Sequence, residues 1–190
     1  PLWFSLGEAP AVLAVIPDAY DPKKESSAGL FVSHSAGKDF QRVSEHPRPV
    51  LIAGTMHGRL IRSIDGGQTW SNVATVEGEV SSLLVLPQQK TRLLATSNGQ
   101  LHVSEDSGAS WRATTHKERF TVLSDAFHSA VVYAGTNQGK LLNSVDNGST
   151  WSVCPGNFPQ GMVMDIAVSI QDPKVIYIAI VGKGIYRSED

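Results

Sequence analysis

Apolar residues along this 190-residue chain fall in short runs rather than on a helical stripe. Runs rich in Val, Ile, Leu and Ala occupy 50–53, 80–86, 93–95, 121–123, 131–134, 162–168 and 175–180. Each is bounded by Gly, Asn, Asp or Pro, which is the punctuation of strands and turns. No segment sustains the 3.6-residue apolar period of an amphipathic helix, so the pattern predicts an all-β chain.

A repeat organises these runs. Ser63-Ile64-Asp65-Gly66-Gly67-Gln68-Thr69-Trp70 recurs as Ser104-Glu105-Asp106-Ser107-Gly108-Ala109-Ser110-Trp111 and as Ser144-Val145-Asp146-Asn147-Gly148-Ser149-Thr150-Trp151. A decayed copy runs from Ser33 to Phe40, and a cut copy ends the sequence at Ser188-Glu189-Asp190. Leu30, Leu60, Leu101, Leu141 and Ile185 stand three residues before the motif serines. A glycine lies one or two residues earlier still: Gly29, Gly58, Gly99, Gly139 and Gly184. A full unit therefore reads strand A, turn, strand B, Gly turn, strand C, motif turn, strand D. The third motif places these strands at 80–86, 92–96, 100–104 and 111–114. Four antiparallel strands in roughly 40 residues is the period of a β-propeller blade. The expected fold is a whole or partial β-propeller of about four to five blades, each a four-stranded antiparallel meander.

The motif Ser-x-Asp-x-Gly-x-Thr-Trp resembles the Asp box, or BNR repeat, and the likeness spans about residues 29–190. Asp boxes mark propellers of sialidases, xyloglucanases, sortilin-type receptors and photosystem II assembly factors. The resemblance implies that the boxes are turns between strands C and D, remote from any ligand site. It also implies an extracytoplasmic setting, in the secreted, periplasmic or lumenal space. Residue chemistry agrees with a structural role. Asp and Ser side chains bond nearby backbone amides in tight turns. Ser63, Asp65, Gly67 and Trp70, with Ser104, Asp106, Gly108 and Trp111 and with Ser144, Asp146, Gly148 and Trp151, are read as turn staples. The three tryptophans are expected to bury apolar surface between or under blades.

The first 50 residues fit the repeat least well. The 30 residues from Ser33 to Ser63 are too few for a whole blade. Either strand A is missing before Val50, or 40–43 takes its place. Asp18 to Ser27 reads as an exposed loop, and Pro1 to Leu6, with Trp3, could supply an outer strand. The sequence is otherwise read as one propeller domain over 1–190. Its start at Pro1 and its end inside a motif suggest a piece of a longer protein.

Composition narrows the partners. Hydrophobic residues make up 41% of the sequence and the net charge is −2, so there is a core but no basic footprint for nucleic acid. No apolar run reaches the roughly 18 residues that would suggest membrane insertion. The lone Cys154 allows no internal disulfide and reads as a small buried hydrophobe. Six scattered histidines show no ligand spacing, so neither a metal nor another cofactor is expected. Asn147-Gly148-Ser149 matches a glycosylation acceptor, but the motif's own composition generates that triplet.

Two function classes remain. Glycosidases need two carboxylates facing one sugar, and Asp125 and Asp165, both late in a strand A, are the candidates. The sialidase resemblance would further require an arginine cluster, a Tyr–Glu pair and an Arg-Ile-Pro segment. Arg-Ile-Pro is absent, and Tyr20, Tyr133, Tyr177 and Tyr186 have no Glu set beside them in a motif. Without a complete catalytic set, the reading favours a non-catalytic module that binds a protein or glycan partner. The alternative is part of a glycoside hydrolase, sialidase- or xyloglucanase-like. In a meander the B–C and D–A turns share the end opposite the C–D motif turns. Binding candidates at that end are His57, Asn98, Asn137, Gln138 and Lys183 on B–C turns. His116, Lys117 and Arg119 join them on a D–A turn.

Overall fold

The computed structural model describes residues 12–15, 30–33, 41–42, 50–86, 89, 91–126, 129–172 and 174–188. Every regular element among them is a strand. β1 (Val12–Val15), β2 (Leu30–Ser33) and β3 (Gln41–Arg42) form one sheet in that order, and β4 (Leu51–Gly54), β5 (Arg59–Ser63) and β6 (Ser71–Thr75) another. Next comes a four-stranded sheet of β7 (Val80–Val85), β8 (Leu93–Ser97), β9 (Gln100–Ser104) and β10 (Arg112–Ala113). A second four-stranded sheet holds β11 (Phe120–Asp125), β12 (Val132–Thr136), β13 (Leu141–Ser144) and β14 (Ser152–Val153). The last sheet contains β15 (Val163–Val168), β16 (Ile176–Ile180) and β17 (Gly184–Ser188). Neighbours in every sheet are consecutive in sequence, so each sheet is a meander. The unit expected at 80–86, 92–96, 100–104 and 111–114 is found as β7 to β10, each end within one residue.

The irregular start resolves in part. Gln41 and Arg42 pair with Val32 and Phe31 of β2, so they join the first sheet and not the β4 sheet, which has three strands among the described residues; Phe40 and Val43 lie outside the described residues. The decayed motif, the loop at 18–27 and the strand proposed around Trp3 lie outside the described residues, as do Glu189 and Asp190.

The protein divides into two compact units, Pro1–Ile52 with Arg62–Ser71, and Ala53–Ile61 with Asn72–Asp190. The first holds β1 to β3 and the first motif turn. The second holds the three later sheets, and there β11 packs on β7, β8 and β15. Two apolar clusters fill that packing. Leu94, Leu101, Phe120 and Leu142 anchor one, and Val163, Ile166, Ile178 and Ile180 the other. β8 is buried along its whole length, between β7 and β9 of its own sheet and with β11 packed against it. Cys154 packs against the second cluster, and burial pushes its thiol up from 9.0.

A bulge recurs at the same place near the start of β7, β11 and β15. The register slips at Val80/Ser82, Phe120/Val122 and Val163/Asp165. The extra residue, unpaired in the ladder, turns its side chain to the next sheet. Ser81 Oγ donates to Thr121 O at 3.0 Å, and Thr121 Oγ1 donates to Val163 O at 2.6 Å. Between these sheets Gly135 faces Val163, whose Cγ1 would lie 2.5 Å from an added Cβ. Hydroxyls and a missing side chain thus let successive sheets approach closely.

Candidate functional site

Each blade has two ends of different chemistry. At the motif end the serine is the buried centre of its turn. Ser104 Oγ donates to Asp106 Oδ1 at 2.8 Å and accepts from Gly108 N at 2.9 Å. Asp106 then accepts from Ser110 N at 2.8 Å and Ser110 Oγ at 2.6 Å. Ser144, Asp146, Gly148 and Thr150 repeat this set, as do Ser63, Asp65, Gly67 and Thr69 in the first unit. Gly108 and Gly148 take φ of 78° and 79°, the left-handed region that a Cβ would penalise.

These bonds fix the carboxylates as charged acceptors. The Ser110 hydroxyl and amide, then the Ser104 hydroxyl, hold Asp106 at about 2. Burial pushes Asp146 up, but the Thr150 hydroxyl and amide and the Ser144 hydroxyl outweigh it and leave it at about 2. Asp65 is held well below the usual carboxylate range, first by the Thr69 hydroxyl and amide and then by Ser63. Both carboxylate oxygens of each aspartate are engaged within its own turn.

The tryptophans differ from the expectation of deep burial. Trp70 is 44% exposed, and Trp111 is half-buried. Their indoles cap their own turns, donating to Gly67 O and Gly108 O at 3.2 Å. Trp151 alone reaches a core cluster, with its ring 5.3 Å from that of Phe120. A further tie at this end escaped the sequence reading. Arg92 donates to Glu105 at 2.8 Å and, across to the next sheet, to Ser149 Oγ at 2.8 Å.

Bonds between turns confirm which loops share an end. The motif residues Ser107 and Asn147 donate their amides to Thr91 O and Ala130 O on A–B connections. At the other end Phe120 N bonds Gly99 O, and Asn137 N bonds Arg119 O. His57, Asn98, Asn137, Gln138 and Lys183 lie on their B–C turns there, and all five are exposed.

A polar depression of about 290 Å³ opens at this end of the second unit. It joins Asn98 with His116, Lys117 and Arg119, and adds Glu77, Ser97, Gln100 and Glu118. His57, Asn137, Gln138 and Lys183 do not line it. Arg119 Nη2 donates to Asn98 O at 2.7 Å and to Asn98 Oδ1 at 3.2 Å. Glu118 pairs with Lys140 at 2.9 Å. Burial lowers His116 from 6.5, which favours its neutral ring; it meets Phe120 edge-on. The Lys117 ammonium and the Glu77 carboxylate bond no described side chain. Glu77 and Glu118 were within reach of sequence reasoning, as acids on the same D–A turns. Nothing in one sequence told which turns face each other.

The carboxylates proposed as a pair are not brought to one level. Val122 of β11 and Asp165 of β15 hold equivalent places after their bulges, and Asp125 lies three residues beyond Val122. That offset is about 10 Å along the strands and reverses the side of the pleat. Asp165 Oδ1 also accepts from Ile166 N at 2.9 Å. Among the described residues no group of three or more His, Cys, Asp or Glu is placed to hold a metal ion.

The sequence model of the DUF6242 beta propeller domain matches residues 61–184. The protein belongs to this family. No curated protein matches it in sequence. Among solved structures, this DUF6242 propeller is similar to the GH74 xyloglucanase from Xanthomonas campestris, at 18% identity and a TM-score of 0.63, over 95% of its own length and 35% of the enzyme's. An ancestral GH74 enzyme shares 14% identity with a TM-score of 0.62, over 76% and 22%. YCF48 bound to D1 peptide shares 14% with a TM-score of 0.52, over 74% and 49%. The propeller thus spans less than half the length of each of these structures. At such identities the likeness shows the fold, a β-propeller, and no activity.

Proposed function

We propose that this propeller is a non-catalytic interaction module that binds an extended segment of a partner protein through the end opposite its motif turns. The polar depression carries this reading. It offers an ammonium at Lys117 and a carboxylate at Glu77 that no described side chain engages, beside the Asn98 and Gln100 amides. Opposite charges and amides set side by side suit a peptide, whose backbone offers donors and acceptors and whose side groups offer both charges. A glycan is served less well, because the lining contains no aromatic face except the half-buried His116. YCF48, a propeller of similar fold, is seen with D1 peptide, so the architecture is compatible with a peptide ligand. His57, Asn137, Gln138 and Lys183 extend the same end and are the residues we assign to the outer part of the contact. We read the motif turns as Asp boxes, and the setting as extracytoplasmic in line with that resemblance.

The hydrolase reading requires two carboxylates within reach of one sugar, and the offset of Asp125 from Asp165 weighs against it. The test is capture by two arrays, one of short peptides carrying both Lys and Glu, the other of xyloglucan and related oligosaccharides. Peptide capture that falls in Lys117→Ala supports the proposal. Release of reducing sugar ends from xyloglucan, with no peptide captured, would overturn it.

A further inference from the structure

Two Asn-Gly pairs lie among the described residues, Asn98-Gly99 at the depression and Asn147-Gly148 in a motif turn. Such pairs carry a latent reaction. The glycine amide, unhindered by a Cβ, can attack Cγ of the preceding asparagine. Both asparagines here take positive φ, 49° and 57°, so the turn conformation is common to the two. What differs is the state of the reacting atoms.

At the motif turn those atoms are locked. Gly148 N donates to Ser144 Oγ at 2.8 Å, and Asn147 Oδ1 is buried with no donor to it among the described residues. At the rim they are available. Asn98 is exposed, and the Gly99 amide has no bond among the described residues. In addition Arg119 Nη2 lies 3.2 Å from Asn98 Oδ1. Attack at Cγ develops negative charge on that oxygen, and a guanidinium already in place stabilises it.

We infer that Asn98 is a site of self-modification, converted through a succinimide to aspartate and isoaspartate. Gly99 N forms a bond to Asn98 Cγ and gives up its proton; the Asn98 Cγ–Nδ2 bond breaks and ammonia leaves. Water then opens either imide carbonyl, giving a normal or a β-linked aspartyl residue. The product adds a carboxylate to a depression whose two cations, Lys117 and Arg119, are balanced by Glu77 and Glu118. The modification stands independently of the proposed function. Its effect on a partner rests on that reading, with an added negative charge weakening contact to acidic groups.

The test follows the purified protein during incubation at mildly alkaline pH in water enriched in heavy oxygen. Trypsin cleavage after Arg92 and Arg112 isolates Asn98, and cleavage after Lys140 and Lys174 isolates Asn147. The 93–112 peptide should take up heavy oxygen and isoaspartate several-fold faster than 141–174. Unfolding the protein should bring the two rates together. Arg119→Ala should slow the reaction at Asn98, whereas an arginine that only rigidifies the turn would, when removed, speed it. Equal rates in the folded protein, or an unchanged or faster reaction in Arg119→Ala, would overturn the inference. Mass spectrometry reads all of this without any binding partner.

Discussion

The motif end and the rim end of each blade hold their polar groups in opposite ways. At the motif end Ser, Asp, Gly and Thr or Ser bond one another in the same pattern three times over. At the rim the backbone is braced too, as where Thr55 Oγ1 and Thr136 Oγ1 accept from the Arg59 and Lys140 amides. The exposed residues there are less uniform than the motif: His57, then Asn98 and Asn137, then Lys183. The motif turn commits several of its polar side chains to one another and to its own amides. The rim turns braced by Thr55 and Thr136 use one hydroxyl each and leave the residues at their tips exposed. Repetition in the sequence marks the first kind, and variation marks the second.

The largest expected effect separates the ends by stability. Ser104→Ala removes the acceptor of the buried Gly108 amide and should cost about 1–3 kcal/mol in chemical denaturation. A loss no greater than that of a rim variant would break the comparison. Glu105→Ala, also at the motif end, deprives the 11% exposed Arg92 guanidinium of its carboxylate and should cost up to about 1 kcal/mol.

Acid provides a third contrast. Asp106 and Asp146 are held at about 2 against an ordinary 3.8, so the unfolded state takes up protons first as pH falls. The stability they contribute is complete above 3.8 and is lost as pH drops toward 2. Asp106→Asn should flatten a denaturation profile in that window. His102, buried in β9 and lowered from 6.5, acts at higher pH: stability present above 6.5 declines as pH falls below it. The smallest effect belongs to the rim. Lys117→Ala should change stability by no more than about 0.5 kcal/mol. A larger loss would mean that the rim, too, is structural.

Strand positions were legible because alternation and turn residues are local, and the repeat multiplied the signal. β9 covers the same five residues that the repeat assigns to strand C. The motif's hydrogen-bond set was legible in kind, since Ser and Asp bond amides close in sequence. Its centre of gravity was not. Only burial shows that the serine, rather than the more exposed aspartate, carries the unreplaceable bond. The depression was half legible. Loop order put Asn98 and Arg119 at one end, but their contact spans 21 positions and depends on how β8 and β11 pack. The offset of Asp125 from Asp165 was hidden for the same reason, because it rests on bulge registers between different sheets.

The most direct measurement is amide chemical-shift mapping of the protein titrated with the best-captured peptide carrying both Lys and Glu. A rim that binds and motif turns that only brace predict shifts concentrated at Asn98–Gln100 and Lys117–Arg119, while Gly108 and Gly148 stay in place. Shifts centred on the motif glycines, with the rim amides unmoved, would contradict it.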